Sequence, residues 1–303
     1  MKIQKREYRH LLVSILLSYS TLGFYRSELP VVQIENYEQA PIKYYGEDIT
    51  TTEAVDLKEK LRKILTSTHT WTTDGLDQLA EVCESENCYA HTTLGYKRAR
   101  QILFSKVYQP DQDRHEVTEV YCGKKYTDGE LINGNEIHLQ ENQIPNGNIL
   151  NTEHTWPRSR FNVDEEESHD LYEQMLSDIH HLYPTDTVVN RDRYNHQFAD
   201  VDVQTSKLTC DGPKLGHNNQ EADTMFFEPP ANIKGDIARS LMYFSIKYNL
   251  PIDTVEESAL RNWHHSDPVS QFEIRRNNIV HEYQGTRNPF IDFPELERKI
   301  SDF

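Results

Sequence analysis

The stretch from Leu150 to Asn195 sets the tightest limit on how this chain can fold. It opens on a short β-rich run, Leu150 to His154, with Pro157 close behind to end it. An acidic stretch follows, Asp164 to Asp170, read as a loop or helix start. A second β-rich run, Ser177 to Tyr183 (SDIHHLY), stops at Pro184. Thr185 or Asp186 then supplies the side-chain oxygen that caps a helix reaching Arg193. Two strands and one short helix bury too little surface to stand alone, so the helices read at 235–248 and 269–283 should pack against them.

The rest of the chain gives the setting. Leu57, Leu61 and Leu65 recur at helical spacing, and Tyr96, Ala99, Ile102 and Leu103 mark a helix over 92–107. Val117 to Cys122 reads as a strand, followed by a turn over 123–129. Asn-Gly pairs at 133–134 and 146–147 mark further turns. Residues 205–232 read as a long polar loop. Gly235 to Tyr248 is the clearest amphipathic helix, and Val269 to Tyr283 a second, charge-rich one. His264 and His265, beside Asp267-Pro268, read as a solvated loop. The implied class is α+β, in a mainly helical scaffold.

Within 151–195 lie a carboxylate (Glu153), an adjacent imidazole (His154) and an amide (Asn190). Hydrolysis of a phosphodiester needs a base for water, a cation to neutralise developing charge, and a group to hold the phosphate. Glu and Asn oxygens are hard ligands suited to Mg²⁺, with Mn²⁺ or Ca²⁺ as alternatives. A neutral His is the natural base near pH 7. Neighbouring strand residues point to opposite faces, so Glu153 and His154 can serve one site only where the strand bends or ends.

These segments resemble the bacterial endonuclease I family of ββα-metal (His-Me finger) nucleases. That family carries E-H-x-x-P, D-[LM]-H-[NH]-L-x-P and N-x-x-R-x-N. The chain has Glu153-His154-Thr155-Trp156-Pro157, Asp178-Ile179-His180-His181-Leu182-Tyr183-Pro184 and Asn190-Arg191-Asp192-Arg193-Tyr194-Asn195. FFEPPANIKGDIARSLMYF (226–244) and QGTRNPFID (284–292) extend the likeness, which runs from about Tyr96 to the C-terminus. The resemblance implies a ββα-metal module at about 145–200, embedded in the helical scaffold. It implies that His154 takes the proton of the attacking water, that Glu153 and Asn190 bind one Mg²⁺, and that the products end in 5′-phosphates. It makes His180 a supporting residue. Some family members hold the phosphate with an arginine beyond the catalytic histidine. Here 164–175 has none, so Arg158, Arg160 or Arg193 must substitute.

Composition qualifies this reading. The formal net charge is −17, against the basic footprint usual for nucleic-acid binders. A local basic cleft remains compatible with an acidic total, and predicts weak, salt-sensitive binding. Slight sequence preference is expected, because a phosphate-directed site reads no base edges. Residues 1–30 form a basic start and an apolar run, Leu11 to Phe24, of signal-peptide length without a clean cleavage site; an ordinary buried helix is the alternative. Export to the periplasm or medium follows from the first reading, with no membrane partner beyond it. The organisation expected is a leader at 1–30, an acidic region at 31–90 and a nuclease domain at 91–303. Of the four cysteines, Cys83 with Cys88 and Cys122 with Cys210 is the pairing adopted; free thiols or a four-cysteine zinc site are the alternatives. The expected activity is hydrolysis of DNA, RNA or both. The rivals are a ribonuclease-leaning member of the family and a catalytically silent nucleic-acid-binding protein.

Overall fold

The computed structural model describes residues 40–73, 75–83, 87–109 and 114–303. The leader read at 1–30 lies outside them. One hydrophobic core runs from Tyr44 to Phe303. Its axis is helix α5, labelled in chain order after four earlier helices: α1 (Ala54–Thr66), α2 (Tyr96–Ile102), α3 (His169–Ser177) and α4 (Thr187–Arg193). In α1 the residues Leu57, Leu61, Ile64 and Leu65 are buried, as the helical spacing requires.

Helix α5 (Lys234–Tyr248) departs from the amphipathic expectation: every residue from Gly235 to Lys247 is buried. Its two buried cations are tolerated because each is matched. Arg239 forks onto Glu273 through Nε (2.6 Å) and Nη2 (2.9 Å), and Lys247 Nζ donates to Asp178 Oδ2 at 3.0 Å. Helix α6 (Thr254–Ser266) begins at Asp253, whose side chain accepts from Val255 N–H. His264 and His265 form its last turn rather than a loop. Val255, Ala259, Leu260 and Trp263 supply the buried stripe that carries the helix this far, and the polar residues beyond mask it in the sequence. Helix α7 (Gln271–Gln284) starts with a reciprocal capping box between Ser270 and Glu273 and ends at Gly285. Gly285 has φ +79°, and a Cβ there would sit 2.4 Å from the Ala90 carbonyl oxygen.

Residues 205–232 contain sheet, not only loop. Strands β3 (Gln197–Phe198), β4 (Val203–Ser206), β5 (Lys214–Asn218) and β6 (Glu221–Glu228) follow the antiparallel pair β1 (Leu150–His154) and β2 (Leu182–Asp186). They lie in the order β3-β6-β5-β4, parallel only between β3 and β6. Every residue of β4 is exposed, so its sequence carries no apolar alternation. Gly216 lets β5 lie against β4, since a Cβ would fall 2.1 Å from the Val203 carbonyl oxygen.

The strand expected to reach Cys122 ends at Thr118, in a hairpin with Lys125–Thr127. The Glu119 carboxylate turns the chain by accepting backbone N–H bonds from Tyr121 (3.0 Å), Cys122 (2.7 Å) and Lys124 (3.1 Å). Disulfides join Cys83 to Cys88 and Cys122 to Cys210, the pairing adopted from the sequence, which removes the free-thiol and zinc alternatives. Among the described residues no helix is long and apolar enough to cross a membrane.

Candidate active site

Strands β1 (Leu150–His154) and β2 (Leu182–Asp186) form an antiparallel pair, with Glu153 opposite Tyr183 and His154 opposite Leu182. The second strand begins five residues later than the sequence suggested. Asp178 draws the chain into a tight turn over Ile179–His181 by accepting from His180 N–H at 3.1 Å. Pro184, expected to end the strand, lies within it. In a two-stranded sheet both strands are edges, so its missing N–H costs no ladder bond.

Asp186 ends β2 and caps α4, accepting from Val188 N–H (3.0 Å) and Val189 N–H (3.1 Å). The cap fixes where α4 starts, and so where Asn190 and Arg193 fall. Three residues apart, they share a helix face that lies on β1. Asn190 Nδ2 sits 3.5 Å from the Thr152 carbonyl oxygen. Arg193 donates to the carbonyls of Thr155 (2.8 Å) and His154 (3.3 Å).

His154 is the last residue of β1, where the strand ends, and both it and Glu153 lie near Tyr96, whose ring is 5.2 Å from the His154 ring and whose pKa burial raises and the Glu153 charge raises further. Glu153 is buried beside Tyr121 and Arg193. Its Oε1 lies 3.0 Å from Arg193 Nη1 in an ion pair, yet without hydrogen-bond alignment, and that oxygen has no hydrogen-bond partner. Burial raises the carboxyl pKa, while Arg193 and then Tyr121 lower it. A buried acceptor left open in this way fits a cation ligand, and the Asn190 amide on the facing helix offers a second hard oxygen.

His154, at the end of β1, is half-buried between the rings of Tyr96 and His181, each with its centroid 5.2 Å away. Its Nε2 donates to the Leu176 carbonyl at 3.2 Å, which leaves Nδ1 as the basic nitrogen of the neutral ring. Burial first, and then His181, holds its pKa well below the ordinary histidine value. The ring is therefore neutral at pH 7 and ready to accept a proton. His180 is fully buried, donates from Nε2 to the Thr286 carbonyl at 3.0 Å, and packs on Tyr243. It fixes the turn before β2; His181 is the one that touches His154.

The three arginines considered for phosphate separate cleanly. Arg193 is buried on Glu153 and two carbonyls. Arg160 pairs with buried Glu256 through Nη2 (2.6 Å) and Nη1 (3.2 Å), and covers Trp156. Arg158 is exposed, and close enough to depress the His154 pKa. The sequence reading missed Arg100 and Tyr96. Arg100 Nε donates to Thr152 Oγ1 at 3.2 Å, and its guanidinium lies 5.4 Å from the Tyr96 ring. One signal was available: α2 (YKRARQI) carries three basic residues and no acid in an otherwise acidic chain.

Comparison with known proteins matches residues 53–295 to the family model described as Endonuclease I. An extracellular ribonuclease of Bacillus amyloliquefaciens is 34% identical over 209 residues, 60% of this chain and 67% of that protein. An extracellular ribonuclease of Bacillus subtilis (strain 168) is 30% identical over the same shares. An extracellular deoxyribonuclease of Aeromonas hydrophila is 27% identical over 123 residues, 41% of this chain and 52% of its own length.

Proposed function

This chain belongs to the endonuclease I family and is an endonuclease, and on that premise we propose that Glu153, His154 and Asn190 form its phosphodiester-cleaving centre. The pair β1–β2 with α4 is, in this reading, a ββα-metal finger. Family members are generally metal-dependent, and Glu153 and Asn190 would hold the ion, Mg²⁺ being the hard cation their oxygens suit. A bound cation there supplies charge neutralisation at the phosphate and the leaving oxygen.

The protein's own groups do the rest. His154 Nδ1 takes one proton of the attacking water, while the Leu176 carbonyl keeps the ring oriented and neutral. The water oxygen bonds to phosphorus, the P–O3′ bond breaks and the leaving oxygen takes a proton from solvent, which leaves a 5′-phosphate and a 3′-hydroxyl; His154 then returns its proton to solvent. Arg100 and Arg158 both lie close enough to Tyr96 to lower its pKa against the larger upward effect of burial, Arg158 also lowers that of His154, and the two would hold the phosphate oxygens. Arg193 instead fixes the Glu153 carboxylate.

The observation that carries this reading is the oriented, neutral His154 one residue from a buried carboxylate with an open acceptor. We further propose that the enzyme cuts both RNA and DNA without sequence preference and leans toward RNA. The 30–34% identical relatives that match over 209 residues are named ribonucleases, and the deoxyribonuclease match is shorter. Export is proposed from the two disulfides and from relatives named extracellular. The test is cleavage of supercoiled plasmid and structured RNA by wild type and His154→Ala, each with Mg²⁺ and with EDTA. Cleavage lost in both the variant and EDTA supports the reading. Wild-type protein inert on both substrates across salts and divalent metals would leave a silent binding protein.

A further inference from the structure

Among the described residues, one group of three or more His, Cys, Asp or Glu side chains brings its ligand atoms within 4.8 Å of one another: His264, His265 and Glu297. None of them belongs to the Glu153–His154–Asn190 site. The two histidines end α6, and Glu297 lies in the short helix Pro294–Lys299 packed against it.

Their hydrogen bonds leave matched vacancies. His264 Nε2 donates to the Pro294 carbonyl at 2.9 Å, so Nδ1 carries the lone pair; that nitrogen is buried and has no hydrogen-bond partner. Glu297 Oε1 accepts from Arg261 Nη1 at 2.5 Å, whereas Oε2 is buried and also has no hydrogen-bond partner. His265 Nε2 lies 3.1 Å from that Oε2. Bonds of about 2 Å to a tetrahedral ion set ligand atoms roughly 3.3 Å apart, close to this spacing. A histidine ligand whose other ring nitrogen donates to a backbone carbonyl is the usual outer-shell arrangement.

The surroundings permit an ion. Arg261 is also bonded to Glu257 at 2.6 Å, and Arg239 is taken up by Glu273, so each of these two cations has a carboxylate other than Glu297. A cleft of ≈ 310 Å³ opens onto both histidines; Pro294 and Glu295 line it together with Arg239 and Arg298. Two imidazoles and one carboxylate favour a borderline ion of the zinc type over Mg²⁺.

We propose that His264, His265 and Glu297 form a second metal site, selective for Zn²⁺ or a like transition-metal ion, that pins the end of α6 to the C-terminal helix. This does not rest on the catalytic roles proposed above. The test uses the untagged full chain, stripped with EDTA and returned to buffer with excess Mg²⁺. Zn²⁺ uptake is followed by calorimetry and by metal content after gel filtration. One Zn²⁺ per chain is expected in wild type and in Asn190→Ala, with a raised melting temperature in both. In His265→Gln, whose side chain is partly exposed and safe to change, affinity should fall by more than the roughly 10- to 100-fold that losing an outer-shell partner costs. Co²⁺ in place of Zn²⁺ should give the visible bands of a tetrahedral nitrogen–oxygen site in wild type. No Zn²⁺ uptake beside Mg²⁺, or undiminished uptake by His265→Gln, would reduce the cluster to an ordinary His265–Glu297 ion pair. Uptake lost in Asn190→Ala would assign the ion to the other site and overturn the proposal.

Discussion

Two buried glutamate–arginine pairs, Glu273–Arg239 and Glu153–Arg193, differ in how they close their hydrogen bonds. In the first, Glu273 receives Arg239 through both oxygens, at 2.6 and 2.9 Å, and also closes the capping box of α7 through Ser270. Its acceptor capacity is used up. In the second, Glu153 meets Arg193 at 3.0 Å without hydrogen-bond alignment, and Oε1 is left open. Arg193 spends its well-aligned donors on the carbonyls of His154 and Thr155. A pair that only stabilises closes its hydrogen bonds; a pair that serves a site keeps one acceptor for something else.

The comparison breaks most visibly at the active site. Glu153→Gln and His154→Ala should each lower kcat by about 10²- to 10⁴-fold, the range of a lost general base or its equivalent. Glu153→Gln should lower the melting temperature less than Glu273→Gln does, because burial already disfavours the Glu153 charge and Arg193 keeps two carbonyl partners where Arg239 keeps one. Near-normal turnover by His154→Ala, or unfolding of Glu153→Gln, would end the distinction. In the other pair, Glu273→Gln leaves Arg239 buried with one close acceptor, the Asp267 carbonyl at 2.9 Å, and a distant Asp236, at 3.8 Å, and should cost about 3–5 kcal/mol in chemical denaturation. Activity at a temperature where the variant stays folded should be little changed.

Arg100 and Arg160 sharpen the comparison at smaller scale. Arg100→Ala should lower kcat/KM by about 10- to 100-fold, the worth of one charge-assisted bond, mostly through KM. It should also reduce the salt dependence of nucleic-acid binding by about one charge. Arg160→Ala strands buried Glu256 and should act on stability instead. Equal kinetic effects from the two arginines would remove Arg100 from the phosphate role.

Much of the site was legible because its signals are local. Leu150 to His154, the Asp186 cap, the extent of α5 and the Cys83–Cys88 pair all follow from neighbouring residues, and Cys122–Cys210 is the pair that then remains. What was missed depends on contacts distant in sequence. Strand β2 is displaced because Asp178 is held by Tyr243, Lys247, Tyr248 and Gln284, so the chain turns before it extends. The sheet over 203–228 was hidden by exposure of its outer strand. Arg100 was missed because α2 reaches Thr152 only once the chain has folded, 52 residues apart in sequence.

The smallest effect concerns pH, and its sign separates the two regions again. His69 and His181 are held down to about 4 and His180 to about 3, each first by burial. In the unfolded chain they titrate near 6.5. Below that pH the unfolded state binds more protons, so their contribution is present above 6.5 and is lost as pH falls toward 4. Asp236, beside the Arg239–Glu273 pair, runs the other way: burial and then Glu273 raise it to about 8. Its contribution is present at low pH and is lost as pH rises from about 3.9 to 8. These histidines, with His264 also held down to about 4, outweigh one carboxyl on the acid side; above 6.5 the carboxyl dominates, and Lys247, which burial lowers to about 8, opposes it only as pH nears 8. Stability measured by urea unfolding should therefore peak near pH 6.5, fall gently toward 8 and fall more steeply toward 4.5. Replacing Asp236 with Asn should flatten the alkaline side and steepen the acid side, and His181→Phe should weaken the acid slope alone. A curve that keeps rising to pH 8, or one flat from 6.5 to 4.5, would show that these groups are not held in the states their burial dictates.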